Sequence, residues 1–185
     1  MATRKKAASG TKVTVPAGDL GVEVRQSSIH GRGVFATRNI PEGATIIEYT
    51  GELITDDEIE VRYPENMKGL NHTFVFGVRD DVNIDGGVGG NESRFINHSC
   101  DPNCDSYDKG DKIFIRAAKR IRTGEELTYD YAIEAGEPLT PDLMRRWPCV
   151  CGAKFCRGTV LVHEPPKKKK AAKKKAGKKA KKRRS

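Results

Sequence analysis

No apolar run in the 185 residues approaches the roughly 18 residues that a membrane-spanning helix needs, so we expect no membrane partner. The basic opening, MATRKKAASG, is not followed by an apolar stretch, which argues against a secretory signal. We therefore expect the chain to stay inside a cell, where thiols remain reduced. In such a compartment the five cysteines favour metal ligation over disulfides.

Acidic residues are missing from both ends of the chain. Of the 34 lysines and arginines, 13 lie between Lys167 and Arg184 and four lie before position 13, and neither segment holds an acid. The remainder carries 17 bases against 25 acids, so a protein of net charge +9 has a body of net charge −8. Such a body is unlike a uniformly basic nucleic-acid binder and suits a basic substrate.

From Leu20 onward, short apolar runs rich in β-branched and aromatic residues alternate with turns rich in Gly, Asp and Asn. These runs predict a mainly β domain of many short strands. They are VEVRQ, GVFAT, TIIEYTGELI, HTFVFGV, VNID, KIFIRAA and ELTYDYAI. Short helices are predicted over Asp56–Tyr63, ended by Pro64, near Glu92–Asn97 and near Asp142–Arg146.

Composition divides the chain into five segments. They are a flexible basic lead (1–17), the β domain (18–133), a proline-containing linker (134–148), a cysteine segment (149–164) and a lysine-rich tail (165–185). The tail cannot bury a core and is expected to be disordered. Three roles for the tail are open on the sequence alone. The tail could anchor the protein to nucleic acid, direct nuclear import or only keep the protein soluble.

Three cysteines, Cys149, Cys151 and Cys156, follow a C-x-C-x₄-C spacing on one tight turn. Zinc held by three thiolates needs a fourth ligand to complete a tetrahedron. Cys100, in the polar turn NHSCDPNC, is the preferred fourth ligand, with Cys104 as the alternative. The competing interpretation is a set of unpaired structural cysteines.

Five motifs occur in one order along the chain: SSIHGRGVFA, EYTGELI, GNESRFINHSCDPNC, GEELTYDY and CVCGAKFCRG. Together they resemble the SET-domain lysine methyltransferase family with its post-SET zinc segment, in particular the trithorax and mixed-lineage-leukaemia type. The resemblance covers about Gly21–Val162. It implies small curved β-sheets with a C-terminal segment threaded under a loop as a pseudoknot. It also implies methyl transfer from S-adenosylmethionine to a lysine of a histone or a histone-like (H1-like or HU-like) protein.

The resemblance also implies which residues bind S-adenosylmethionine. They are His30, Gly31, Arg32 and Gly33 in a first loop, Asn97 and His98 in a second, Phe74 where many relatives have tyrosine, and Val150 and Val160 over the adenine. Glycines permit close backbone approach, and Arg32 suits the carboxylate of the cofactor. The alternative is a pair of ordinary turns in which the polar side chains satisfy backbone groups.

Three tyrosines and one phenylalanine are expected to form the reaction site by the same resemblance. Tyr131 orients the lysine amine and the donor methyl, and Tyr49 lines the lysine channel. Tyr129 occupies a phenylalanine/tyrosine switch position, where a hydroxyl that holds a water predicts mono- or dimethylation. Phe76 forms a wall on which the substrate peptide adds as a strand. Taken singly, each tyrosine is also explained by core packing.

Other functions compete with an active methyltransferase. In the first alternative the SET-like domain is inert and the protein is a module that binds chromosomes through its tail. In the second alternative the protein methylates its own lysine-rich tail. A pure zinc-dependent nucleic-acid binder is less favoured, since the aromatic spacing offers no stacking platform. We expect an intracellular, chromosome-associated protein, in a nucleus or, if the source is bacterial, in a nucleoid.

Overall fold

The structure is a computed structural model that describes residues 21–64, 74–135 and 137–162. Within these ranges it contains twelve strands, two α-helices and a 3₁₀ turn, which confirms the prediction of a mainly β chain with short helices. The predicted basic lead and lysine-rich tail lie outside the described residues. No helix in the described ranges is long and apolar enough to cross a membrane.

The strands are β1 Val22–Gln26, β2 Arg32–Ala36, β3 Thr45–Tyr49, β4 Glu52–Ile54, β5 Val75–Arg79, β6 Val82–Asp85, β7 Asn97–His98, β8 Cys104–Lys109, β9 Lys112–Ala117, β10 Glu126–Tyr129, β11 Ile133–Glu134 and β12 Leu161–Val162. The helices are α1 Asp56–Arg62 and α2 Pro141–Arg146, and the 3₁₀ turn is Glu92–Phe95.

The sheet that positions the site has the strand order β1–β2–β10–β7. Strand β10 pairs antiparallel with β2 on one side and parallel with the two-residue β7 on the other. The parallel register sets Thr128 opposite Asn97 and Tyr129 opposite His98. The motifs that contain β2 and β7, more than 60 residues apart in sequence, therefore meet at one sheet, because β10 lies between them.

Two further sheets, β3–β9–β8 and β4–β6–β5, complete the domain together with the β11–β12 pair. The main core lies between the β1–β2–β10–β7 sheet and the β3–β9–β8 sheet, and its largest fully buried side chains include Val34, Ile96, Ile115, Ile121 and Leu127. A smaller cluster of Tyr49, Ile84 and Ile113 continues this core toward the β4–β6–β5 sheet. Phe76 on β5 packs against both clusters.

Helix α1 begins with a capping box that satisfies backbone donors at its N-terminus. Thr55 accepts a hydrogen bond from the Glu58 amide, and the Glu58 carboxylate accepts one from the Thr55 amide. The helix ends before Pro64, as predicted, since the residue before a proline disfavours helical backbone. Its last turn is held to β6 by Arg62, which donates to the fully buried Asp85 at 3.1 Å.

Two predicted runs are each divided between elements. TIIEYTGELI breaks at Gly51, where a side chain would meet the carbonyl oxygen of Asp85 at 2.3 Å. ELTYDYAI breaks at Ala132, whose φ of 49° interrupts extended backbone. Strand β8 was not predicted, because its sequence CDSYDK is mostly polar.

Candidate active site

The side chain of Asn97 joins the first predicted cofactor loop to β10. Its amide nitrogen donates to the carbonyl oxygens of His30 at 3.2 Å and Arg32 at 3.0 Å, and to a carboxylate oxygen of Glu126 at 2.8 Å. Asn97 is only 7% exposed, so these bonds satisfy a buried amide that would otherwise be costly. The two predicted cofactor motifs are therefore brought together, with Asn97 between them.

The half-buried carboxylate of Glu126 lies close to Gly33. A side chain at this position would meet Glu126 at 2.2 Å, while Ser27 donates to the same carboxylate at 2.7 Å. Gly31 has a φ of 44°, and its carbonyl accepts from the Ser27 amide at 2.9 Å, which closes the loop. Sequence reasoning missed Glu126, although it opens the strand that carries the predicted tyrosines.

Two predicted cofactor residues, Arg32 and Phe74, meet through a third that was not predicted. The Arg32 guanidinium lies 3.8 Å from the centre of the Phe95 ring, in a cation–π contact. Phe95 meets Phe74 edge-to-face, with ring centres 5.6 Å apart. Phe95 belongs to the 3₁₀ turn that precedes Asn97, and its aromatic character in SRFINH was the available signal.

The predicted reaction-site residues form one continuous row of rings. Centre-to-centre distances are 5.2 Å for Tyr49–Phe76, 5.8 Å for Phe76–Tyr129, 5.0 Å for Tyr129–Tyr131 and 5.3 Å for Tyr131–His98. The row therefore extends from Tyr49 on β3, through Phe76 on β5, to His98 on β7, the strand that also carries Asn97. All four predicted residues lie in it, and His98 joins the row to the predicted cofactor motifs.

Two phenols in this row are anchored by hydrogen bonds to backbone carbonyl groups. Tyr49 donates its hydroxyl hydrogen to the carbonyl oxygen of Phe74 at 2.7 Å, and Tyr131 donates to that of Ile96 at 2.9 Å. Burial raises the pKa of Tyr49, Tyr129 and Tyr131 above that of a free phenol. At neutral pH these groups are protonated, so they can orient a neighbouring group but do not carry a negative charge.

His98 is a neutral imidazole, and its hydrogen bonds fix which ring nitrogen carries the proton. Burial lowers its pKa, and the nearby carboxylate of Asp130 offsets this only in part. Its Nδ1 accepts a hydrogen bond from the backbone amide of Tyr131 at 3.2 Å, so the proton lies on Nε2, which is 3.4 Å from the Cys100 sulfur. His98 thereby fixes the backbone of Tyr131 beside the cysteines.

Four half-buried thiols, those of Cys100, Cys149, Cys151 and Cys156, lie within 4.8 Å of one another. The sulfur of Cys100 is 3.7 Å from that of Cys149 and 3.9 Å from that of Cys156. A tetrahedron with zinc–sulfur bonds of about 2.3 Å has edges of about 3.8 Å. The sulfur positions therefore fit a tetrathiolate zinc site, and the predicted fourth ligand, Cys100, is the one that joins the cluster.

The alternative fourth ligand, Cys104, is separated from this cluster. It is 1% exposed within the main core, where burial raises its pKa to about 12. A thiol held in its protonated form suits a packing role better than metal ligation.

The two valines predicted to cover the adenine flank the cysteine cluster. Strand-like contacts between residues 147–149 and 158–160 hold this segment together, including a bond from the Val160 amide to the Trp147 carbonyl at 3.2 Å. Val160 is half-buried, whereas Val150 is 65% exposed. Within the described residues Val150 is thus open to a ligand or to solvent.

Comparison with known proteins matches the chain to the SET domain over residues 31–132. The chain belongs to the SET-domain family. It is 45% identical over 143 residues to human histone-lysine N-methyltransferase 2B, and 43% identical over 145 residues to histone-lysine N-methyltransferase trithorax of Drosophila virilis. It is 39% identical over 137 residues to the H3 lysine-4 specific enzyme of Schizosaccharomyces pombe. The predicted family is thereby confirmed.

These matches cover most of this chain but little of the relatives. They span 74%, 74% and 71% of the chain, but 5%, 4% and 14% of the human, fly and yeast proteins. The resemblance is therefore to one domain of much longer proteins.

Proposed function

We propose that this protein is a protein-lysine N-methyltransferase that uses S-adenosylmethionine and acts on a histone or a histone-like basic protein. The observation that carries the proposal is the unbroken ring row from Tyr49 through Phe76, Tyr129 and Tyr131 to His98. Phe76 in this row lies on an edge strand, and His98 at its end lies next to Asn97. We call Asn97 together with its three partners, His30, Arg32 and Glu126, the Asn97 hub. A channel between substrate and donor requires such a connection. The names of the relatives support the same activity.

In the proposed reaction the lysine nitrogen attacks the methyl carbon, and the carbon–sulfur bond breaks with its electron pair passing to sulfur. The products are S-adenosylhomocysteine and a methylated ammonium, which loses its extra proton to solvent. The attacking amine must be neutral, yet a lysine with a pKa of about 10.4 is neutral in only about one molecule in 2,500 at pH 7. Buried rings and the donor's positive charge both disfavour a second cation, so the neutral amine is favoured in the channel.

The residues proposed to bind S-adenosylmethionine lie in the loop that Asn97 bonds and in the segments around it. His30, Gly31, Arg32, Gly33, Asn97 and His98 supply the pocket, Phe74 a ring, and Val150 and Val160 the cover over the adenine. Carboxylate recognition is assigned to Arg32, whose guanidinium is already oriented by Phe95.

The substrate peptide is proposed to pair with β5. This strand is the edge of the β4–β6–β5 sheet within the described residues. An extended peptide can add to such an edge through backbone hydrogen bonds. Phe76, which contacts both Tyr49 and Tyr129, then lies beside the incoming lysine. The net charge of −8 between residues 13 and 166 favours a basic partner.

Tyr131→Phe is expected to lower the rate of methyl transfer about a hundredfold or more, because the phenol that orients the amine is lost. The measurement is transfer of labelled methyl from S-adenosylmethionine to a panel of core histones, H1-like and HU-like proteins. Tyr107→Phe is the matched control, because Tyr107 on β8 bonds Thr45 away from the ring row. Wild-type protein that labels nothing on this panel would instead support the inert chromosome-binding module.

Tyr129→Phe is expected to change the product rather than abolish the reaction. The Tyr129 hydroxyl is proposed to hold a water where additional methyl groups would lie, so the wild type forms mono- and dimethyl-lysine. Without the hydroxyl, trimethyl-lysine should accumulate. Mass spectrometry of the product peptide at equal turnover is the measurement, and an identical methylation state in both proteins would remove the switch assignment.

The four clustered cysteines are proposed to bind zinc, which would tie residues 149–156 to Cys100 and so hold the donor-covering segment in place. Purified protein should contain about one zinc per chain, and a strong chelator should abolish activity. Cys156→Ser should lose the metal and lower the melting temperature, whereas Cys104→Ala should keep the metal. Full activity in metal-free protein would rule out this role.

The division into lead, SET domain, linker, post-SET segment and tail is part of the proposal, with the tail as a nucleic-acid anchor or import signal that keeps the protein at chromosomes. As an anchor, the 13 bases between Lys167 and Arg184 should make DNA affinity fall steeply with salt, by about a thousandfold between about 50 and 200 mM when about six of them neutralise phosphates. Fluorescence anisotropy of the full chain and of a version ending at Glu164 measures this, and equal affinities would contradict the anchor.

The same two proteins test self-methylation of the tail. If labelled methyl is transferred to the full chain but not to the version ending at Glu164, the tail is also a substrate.

A further inference from the structure

Asp130 lies between the two proposed reaction-site tyrosines of the sequence Tyr129-Asp130-Tyr131, yet its side chain contacts a different part of the molecule. Its two carboxylate oxygens accept hydrogen bonds from the two terminal nitrogens of Arg157, at 2.6 and 2.8 Å. Both side chains are about one-third exposed, at 32% and 34%. A paired geometry of this kind fixes direction as well as distance.

The same carboxylate shapes the turn that follows Tyr131. An oxygen of Asp130 accepts from the Ala132 amide at 3.0 Å, and Ala132 has a φ of 49°, which a residue other than glycine rarely adopts. On the other side, the Tyr131 amide donates to His98 at 3.2 Å. The backbone of Tyr131 is therefore held from both sides, and Arg157 orients one of the two groups that hold it.

Arg157 in turn is positioned by the cysteine cluster. It directly follows Cys156, and its backbone amide donates to the sulfur of Cys100 at 3.4 Å. The path from the thiols to the phenol therefore consists of contiguous contacts through Cys100, Arg157, Asp130 and the turn at Ala132.

We propose that Arg157 is a positioning residue for Tyr131, and that its pair with Asp130 couples the order of the cysteine cluster to the orientation of the phenol. The inference rests on the proposed methyltransferase function and deepens it. Arg157 acts through Asp130 and needs no contact with substrate or donor. On this account the cysteine segment does more than cover the donor, because it also sets the geometry of the reaction step.

Arg157→Gln tests this coupling in the full-length protein. We expect kcat at saturating donor and peptide to fall on the order of tenfold to a hundredfold, because small displacements of an orienting group have effects of that size. KM for S-adenosylmethionine and zinc content should change less than about twofold, since the four thiols remain. Arg157→Lys should retain part of the rate, because lysine keeps the charge without the two-point geometry.

A matched control exists elsewhere on the surface. Arg116 on β9 also forms a two-point pair, donating through Nε and one terminal nitrogen to the carboxylate of Asp105 on β8, at 2.7 and 2.9 Å. Arg116→Gln should leave kcat unchanged. Asp130→Asn preserves the shape of the side chain but removes the charge that pairs with Arg157, so it should lower kcat as Arg157→Gln does. This second variant keeps the test valid should Arg157→Gln fail to fold.

Two readouts separate positioning from simple anchoring of the segment. The chain has one tryptophan, Trp147, which bonds Thr159 and Val160 in the cysteine segment, so its fluorescence reports on that segment independently of activity. A lower kcat with unchanged fluorescence and metal content supports the proposal. Loss of zinc, or a raised KM with unchanged kcat, would mean that the pair only anchors the segment and would overturn it.

The failure of this inference is distinguishable from that of the proposed function. An active wild-type protein in which Arg157→Gln behaves like Arg116→Gln overturns the positioning role alone. A wild-type protein that transfers no methyl group, although it contains zinc and is folded, overturns both.

Discussion

The buried amide of Asn97 is the interaction on which the site depends. Its nitrogen bonds the loop at His30 and Arg32 to Glu126 of β10, so one side chain joins three segments that are distant in sequence. A buried amide without these acceptors would carry a desolvation cost of about 1–3 kcal/mol. The loop conformation and the position of β10 therefore stabilise each other, and Gly33 permits the close contact because it has no side chain.

From this hub the molecule extends in two directions. The ring row leads from His98 through Tyr131 and Tyr129 to Phe76, and so to an edge strand. The contacts of His98 and Asp130 lead instead to the cysteine cluster. The strand β10 and the residues after it thus contact both the proposed reaction site and the proposed metal site, which explains why a short segment concentrates so much of the chemistry.

Much of this arrangement could be predicted from the sequence, for identifiable reasons. Apolar alternation and turn residues marked the longer strands, and the capping residues and Pro64 bounded α1. The two-residue strands β7 and β12 carry no periodic signal, and the polar β8 is held by pairing with β9. The breaks at Gly51 and Ala132 depend on close approach between distant segments, which a local pattern does not record.

The site residues divide in the same way. Motif order marked the tyrosines, the cysteines and the two cofactor loops, and the structure brings most of them together. The residues that hold these groups in place were missed, because their partners lie far away in sequence: Glu126 contacts Asn97, Phe95 contacts Arg32, and Asp130 contacts Arg157. Cys100 was preferred over Cys104 on sequence grounds, and the burial of Cys104 in the core supports that preference.

The most direct test is a crystal structure of the full chain with S-adenosylhomocysteine and a lysine-containing peptide. The account predicts that the adenosyl group lies between the loop at residues 30–33 and Asn97–His98, with its sulfur facing the hydroxyl of Tyr131 and the lysine entering past Phe76. An adenosyl group bound away from Asn97, or a lysine that does not reach Tyr131, would contradict it.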